Sequence, residues 1–271
     1  MFPEMLGNLE ELTNEQIWAP LEEMASGPSC FGQLQEWTEW FHYLVANLLT
    51  REWRPSVYDP AGLLITCFMA QHPYSDGPVP YSAFSSDALA TLGQYHMSPY
   101  FWHEGTVDIE RCLHKYETVD GTREWYNCAG SLSASLFFCL KYLPEAGVAP
   151  WFKSVIAIKD FYWIEQIIVW LIGAYPLFTS PNGQPANFAD CGPYRVSWDW
   201  SHALTGNYSG NLEEPVVRVP FLPKANTKAL LEVARSWNVD EFFEELLTNP
   251  EVTDVAAETT GLRDHFLGLY R

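Results

Sequence analysis

Residues 33–50 read Gln33-Leu-Gln-Glu-Trp37-Thr-Glu-Trp-Phe41-His-Tyr-Leu44-Val-Ala-Asn-Leu48-Leu-Thr50. Leu34, Trp37, Phe41, Leu44 and Leu48 recur at alternating steps of three and four. That spacing draws one apolar stripe down an α-helix, and Glu36, Glu39 and His42 fall off it. A helix therefore lies here with one face toward a core.

Working outward, the same period returns on both sides. Upstream, Thr13-Asn-Glu-Gln16 has the spacing of a capping box, in which two side chains satisfy backbone donors at a helix start. Ile17, Leu21 and Met24 follow at helical intervals. Downstream, Pro55 and Pro60 bracket a break before a short apolar helix over 61–70. Residues 82–95 resume helical spacing through Phe84, Ala88, Leu89 and Leu92. Between 98 and 127 apolar positions are sparse, and Asp120-Gly121 is a turn signal that joins either two strands or two helices. Leu132, Leu136, Phe137 and Leu140 predict a helix over 131–143, stopped by Pro144 and Gly147. Pro150 is expected in the first turn of the next helix. That helix runs through an apolar stretch to about Ala174, with a possible break at Lys159-Asp160 and with Gly173 and Pro176 at its end. Further helices are expected over 227–237, 240–247 and 261–270.

Residues 179–226 break the pattern. They are rich in proline and glycine, with a turn or two of helix expected over 196–204 and a short strand over 216–221. An irregular stretch of this length is usually functional or disordered, and Trp198, Trp200, Tyr208 and Phe221 favour order. No period of 33 to 47 residues emerges. The expected fold is mainly α: one domain over 1–271, built as an irregular helical bundle or a degenerate helical-hairpin (HEAT-like) array, with 179–226 as an irregular insert.

The chain has 271 residues, 34 acidic against 15 basic, a formal charge of −19 and 48% apolar residues. Its 12 tryptophans separate it from a disordered acidic tail, which would lack aromatics. Residues 161–178 approach membrane-spanning length. Glu165 and Gln166 interrupt them, and a mid-span carboxylate costs on the order of 2.5–3.5 kcal/mol in a bilayer. A buried core helix in a soluble chain is the expectation. The N-terminus lacks the basic and apolar regions of a secretory signal. Six cysteines without a C-x-x-C pair read as reduced, mostly buried thiols, and hence a cytoplasmic location.

Motifs for chemistry are sparse. His103-Glu104 has no second histidine at metalloprotease spacing, and the run His96, His103, Glu104, Asp108, Glu110, Cys112, His114 reads as a polar surface segment rather than a metal site. No nucleophile elbow is present, and Ser131, Ser133 and Ser135 suit a tightly packed helix start. No phosphate-cradling glycine loop occurs, and the charge disfavours nucleic acid, whose phosphates are held mainly by lysine and arginine. No metal or other cofactor is expected. The most site-like cluster is Asp199 between Trp198 and Trp200, with His202 three residues on. Aromatics suit sugars, and an Asp–His pair suits proton transfer, as a hydrolase would need. A loop pinned by aromatic anchors uses the same residues.

Charge is the stronger lead. Residues 1–50 contain eight glutamates and no lysine or arginine, for a net −8. Residues 232–271 carry nine acids and three bases, for −6. Asp240-Glu241-Phe-Phe-Glu244-Glu245-Leu-Leu places phenylalanines and leucines on one helix face and carboxylates on the other, at a repulsive cost of a few tenths of a kcal/mol per neighbouring pair. An acidic surface at Glu10, Glu11, Glu241, Glu244 and Glu245, with Trp198 and Trp200 as aromatic contacts, steers a basic protein partner. An inhibitor, immunity-type or adaptor protein is therefore expected. A hydrolase acting through Asp199 and His202 is the alternative.

Overall fold

The computed structural model describes residues 2–31, 35–49, 60–73, 79–108, 111, 113–117, 123–128, 130–181, 183, 194–196, 198, 200–204, 220–248 and 259–271. The fold is mainly α. Its helices are α1 (Asn14–Phe31), α2 (Gln35–Leu49), α3 (Pro60–Gln71), α4 (Phe84–Thr91), α5 (Gly130–Tyr142), α6 (Glu145–Ile156), α7 (Phe161–Thr179), α8 (Lys224–Ser236), α9 (Val239–Thr248) and α10 (Thr259–Tyr270). Helices distant in sequence pack together: α1 on α3, α3 on α5, α6 on α8 and α10 on α7. That pattern is an irregular bundle rather than a row of consecutive hairpins.

The capping box is formed. The Gln16 backbone N–H donates to Thr13 Oγ1 at 3.2 Å, and the Thr13 N–H donates to Gln16 Oε1 at 2.8 Å. In α2, Trp37, Phe41, Leu44, Val45 and Leu48 are buried, each worth about 1.5–3 kcal/mol relative to exposure. Gly27 of α1 lets the two helices close, since a Cβ there would sit 2.8 Å from the Trp37 ring.

The sequence signal at Asp120-Gly121 lies outside the described residues, and the segments on either side of it are strands. β1 (Trp102–His103) and β2 (Thr106–Val107) form a small antiparallel ribbon, while β3 (Leu113–Glu117), β4 (Arg123–Cys128) and β5 (Arg195–Val196) form a second sheet. β4 pairs antiparallel with β3 and parallel with β5. The Glu104-Gly105 turn uses left-handed backbone at both residues, φ 50° and 88°, as tight two-residue hairpin turns require.

Prolines are where expectation and structure part. Pro144, not Pro150, precedes α6, and Pro150 lies inside that helix. Gly147 is helical as well, and Pro176 sits within α7. The last turn of α7 survives because the Ser180 N–H donates to the Pro176 carbonyl at 2.9 Å and Thr179 Oγ1 donates to the Tyr175 carbonyl at 2.9 Å. The break at 159–160 is present. Asp160 caps α7 through Oδ1, which accepts the Trp163 N–H at 2.9 Å. The helix expected through residue 95 loosens into a 3-10 turn at Leu92–Met97, because Ser135 Oγ and Cys139 Sγ draw on the Leu92 and Gly93 carbonyls. Residues 201–204 form a 3-10 turn, and the strand expected over 216–221 falls almost wholly outside the described residues.

α7 is the hub. Among the described residues it alone is long and apolar enough to cross a membrane, yet the protein itself encloses it. Glu165 and Gln166, which interrupt its apolar run, are buried with the rest.

Candidate functional site

Two corners of the bundle meet beside the start of α7. One is the Ala157–Asp160 turn from α6 into α7, pinned by the Trp163 indole N–H donating to the Val155 carbonyl at 2.8 Å. The other is Trp237-Asn238 between α8 and α9, where the Val239 N–H donates to the Trp237 carbonyl at 3.1 Å. Between them lies a groove of about 480 Å³. Its apolar surface comes from Ile156, Ile158, Phe161, Ile164, Trp237 and Phe242. Phe161 and Phe242 close it with ring centroids 5.9 Å apart.

Glu241 and Glu245 line the same groove, one turn apart on α9. Lys159 and Asp160 also line it, but the Asp160 carboxylate is occupied by the α7 cap and by the Val107 N–H. α9 is clamped from behind by α10. Arg263 gives two N–H groups to Asp240 Oδ1, at 2.7 and 3.0 Å, and Arg271 gives one to Oδ2 at 2.8 Å. These two guanidinium groups, Arg271 foremost, hold the Asp240 carboxyl below the usual carboxylate range. Burying Phe243 and Leu246 presses α9 inward. The one-face description of this helix needs correction: its apolar arc is too wide to bury, so Phe242 lines the groove and Leu247 stands 70% exposed.

The other sequence candidates lie elsewhere. Glu244 is exposed on α9 but is not among the groove residues. Glu10 and Glu11 sit in a 3-10 turn, Leu9–Glu11, that packs on α2. Trp198 is 5% exposed, stacked on Phe137 at 5.5 Å, with its indole N–H donating to Thr66 Oγ1 at 2.8 Å. Trp198 is therefore a core anchor and presents nothing to a partner. Trp200 is half-buried, edge-on to Trp18 at 6.0 Å, with His202 exposed beside it at 5.8 Å. Asp199 lies outside the described residues.

Of the polar run from residue 96 to 114, Glu110, Cys112 and the His114 side chain lie outside the described residues, and the rest do not gather. His96 is buried, while His103 and Glu104 are exposed about the tip of the β1–β2 ribbon. Asp108 pairs with Arg111 at 3.1 Å. Among the described residues no three histidines, cysteines or carboxylates gather to hold a metal. A serine–histidine contact does exist, with His96 Nδ1 3.0 Å from Ser135 Oγ. The serine hydroxyl, however, donates to the Leu92 carbonyl at 2.9 Å, and both residues are enclosed. No substrate can reach them. The pair fastens the 92–97 turn to α5, and Ser131, Ser133 and Ser135 are all buried there.

Sequence reasoning missed two polar features. His42 and His72 are hydrogen-bonded partners, although spacing alone put His42 outside the core stripe. Lys141 is drawn inward, donating to the Phe221 carbonyl at 2.7 Å over the Phe221 ring at 4.6 Å, and burial pushes its ammonium down to about 8. Its position in the last turn of an otherwise buried helix was the available signal. Comparison with known proteins finds no family model, no curated protein and no solved structure that matches this chain.

Proposed function

We propose that this protein is an acidic interaction protein of the inhibitor, immunity or adaptor kind, acting on a basic protein partner in the cytoplasm. The groove at the start of α7 takes an amphipathic basic segment of that partner. One observation carries the reading: an aromatic-floored groove has two exposed carboxylates, Glu241 and Glu245, on one rim. Apolar side chains of the partner fill the floor, and a lysine or arginine meets each carboxylate. The net charge of −19 steers that segment from a distance, within the Debye length of roughly 8–10 Å at physiological salt.

The test uses a synthetic helical peptide with leucine and tryptophan on one face and lysine on the other. A second peptide carries glutamate in place of lysine. Stopped-flow association is followed at low salt for the native protein and for E241K/E245K. The basic peptide is expected to bind, the acidic one not, and the double reversal to slow association about tenfold with an unchanged melting temperature. Equal association rates for native and reversed protein would overturn the reading.

A further inference from the structure

We propose that a second cavity, at the opposite end of α7, binds an organic anion with an apolar body, the class represented by a medium-chain carboxylate. The cavity measures about 320 Å³ and lies between the C-terminal turn of α7, Pro220 and Leu222, and one side of α8. Among the described residues, Lys224, Lys228 and Arg235 line it, with Glu232 as the one carboxylate. Among those described residues three cations less one carboxylate leave +2, on a chain whose total is −19. One fifth of all 15 basic residues thus line one hollow of a molecule whose net charge is strongly negative.

The helix sets their geometry. Lys224, Lys228, Leu231 and Arg235 occupy i, i+4, i+7 and i+11, one stripe along the helix. At 1.5 Å per residue the stripe runs about 16 Å from Lys224 to Arg235. Leu231 interrupts the cations, and Leu177, Phe178 and Leu222 are apolar walls of the same cavity. Cations spaced along apolar surface suit a ligand with a charged head and a hydrocarbon body better than a compact oxyanion. Lys224 also stands in the first turn of α8, which begins after Pro223 without a side-chain cap. Its backbone donors add to the positive end.

Glu232 does not neutralise the site. It lies 3.9 Å from Lys228 with both side chains well exposed, a contact worth little against a ligand charge. Lys224, Lys228 and Arg235 are all exposed residues, so reversing them opens no cavity in the core.

Isothermal titration of the full chain with octanoate, octanol and inorganic phosphate tests the site. One octanoate is expected per chain, and octanol and phosphate are each expected to bind at least about tenfold more weakly. The variant K228E/R235E should lose octanoate binding with an unchanged melting temperature, and K228Q/R235Q should weaken it by a smaller factor. Absent octanoate binding, equal binding of octanol or phosphate, or full binding by K228E/R235E would each overturn the proposal.

Discussion

His42 and His72 face each other, Nε2 to Nε2, across 2.9 Å, with their rings stacked 5.0 Å apart. Only one of two facing nitrogens carries the proton of a neutral hydrogen bond, so the pair joins α2 to the end of α3 through opposite tautomers. Phe41, Phe68 and Phe84 surround His72, and the Tyr142 hydroxyl donates to its carbonyl.

This pair makes stability pH-dependent. Burial pushes His72 down to about 4, with the charge of His42 acting the same way, and burial also lowers His42. His96 is pushed to about 4 by burial. Each binds protons more readily when unfolded, near pH 6.5, than when folded. Their stabilisation is thus complete above about pH 6.5 and is lost as pH falls toward about 4. Urea melts at pH 6.5 and 4.5 should show that loss, and His72→Asn should shrink it by about 1–2 kcal/mol. An identical loss in the variant would assign the pH dependence to other groups.

Contact and steering separate at the groove. Phe242 touches Phe161 but carries no charge. Replacing it by alanine should speed dissociation of the basic peptide about five- to tenfold while leaving association and its salt dependence unchanged. The opposite split between rates would place Phe242 outside the contact.

Trp198 fastens the segment around residues 194–204 to the core through Phe137 and Thr66. Trp198→Ala should cost about 3–5 kcal/mol in chemical denaturation. Trp198→Phe keeps one aromatic ring but loses the second ring and the N–H, so its cost should fall to about 1–3 kcal/mol. Equal costs for the two would mean that ring contact contributes nothing.

Asp240 ties α9 to Arg263 of α10 and to Arg271 just beyond that helix through side-chain hydrogen bonds. Its pKa is lowered, so its contribution is present above the unfolded carboxylate value and is lost as pH falls through the folded one. Asp240→Asn should speed hydrogen exchange at the amides of α10 while α5 remains protected. Unchanged exchange in α10 would show that burial of Leu262, Phe266 and Tyr270 suffices to dock it.

Local signals were legible where local physics decides. The α2 stripe, the Thr13–Gln16 box and the Asp160 break can each be read within one or two helical turns, and each is present. Pro150 misled because proline favours a helix start, whereas tertiary packing tolerates the single backbone bond it removes from α6. Glu241 and Glu245 were visible as an acidic face. The wall opposite them, 156–164, lies some eighty residues earlier, and no periodicity announces that juxtaposition. The same holds for His42 and His72, 30 residues apart. Trp198 reads alike as anchor or as contact until its burial is seen.

The Tyr270 hydroxyl donates to the Leu171 carbonyl at 2.8 Å, across 99 residues of chain. Synthesis runs from N- to C-terminus at roughly 5–20 residues per second, so α7 is made about 5–20 s before the helix that covers it. Until then α7 has only its earlier partners, among them Phe137 and Phe152 against Trp170. A nascent chain of this design therefore spends seconds with part of its most apolar helix still uncovered.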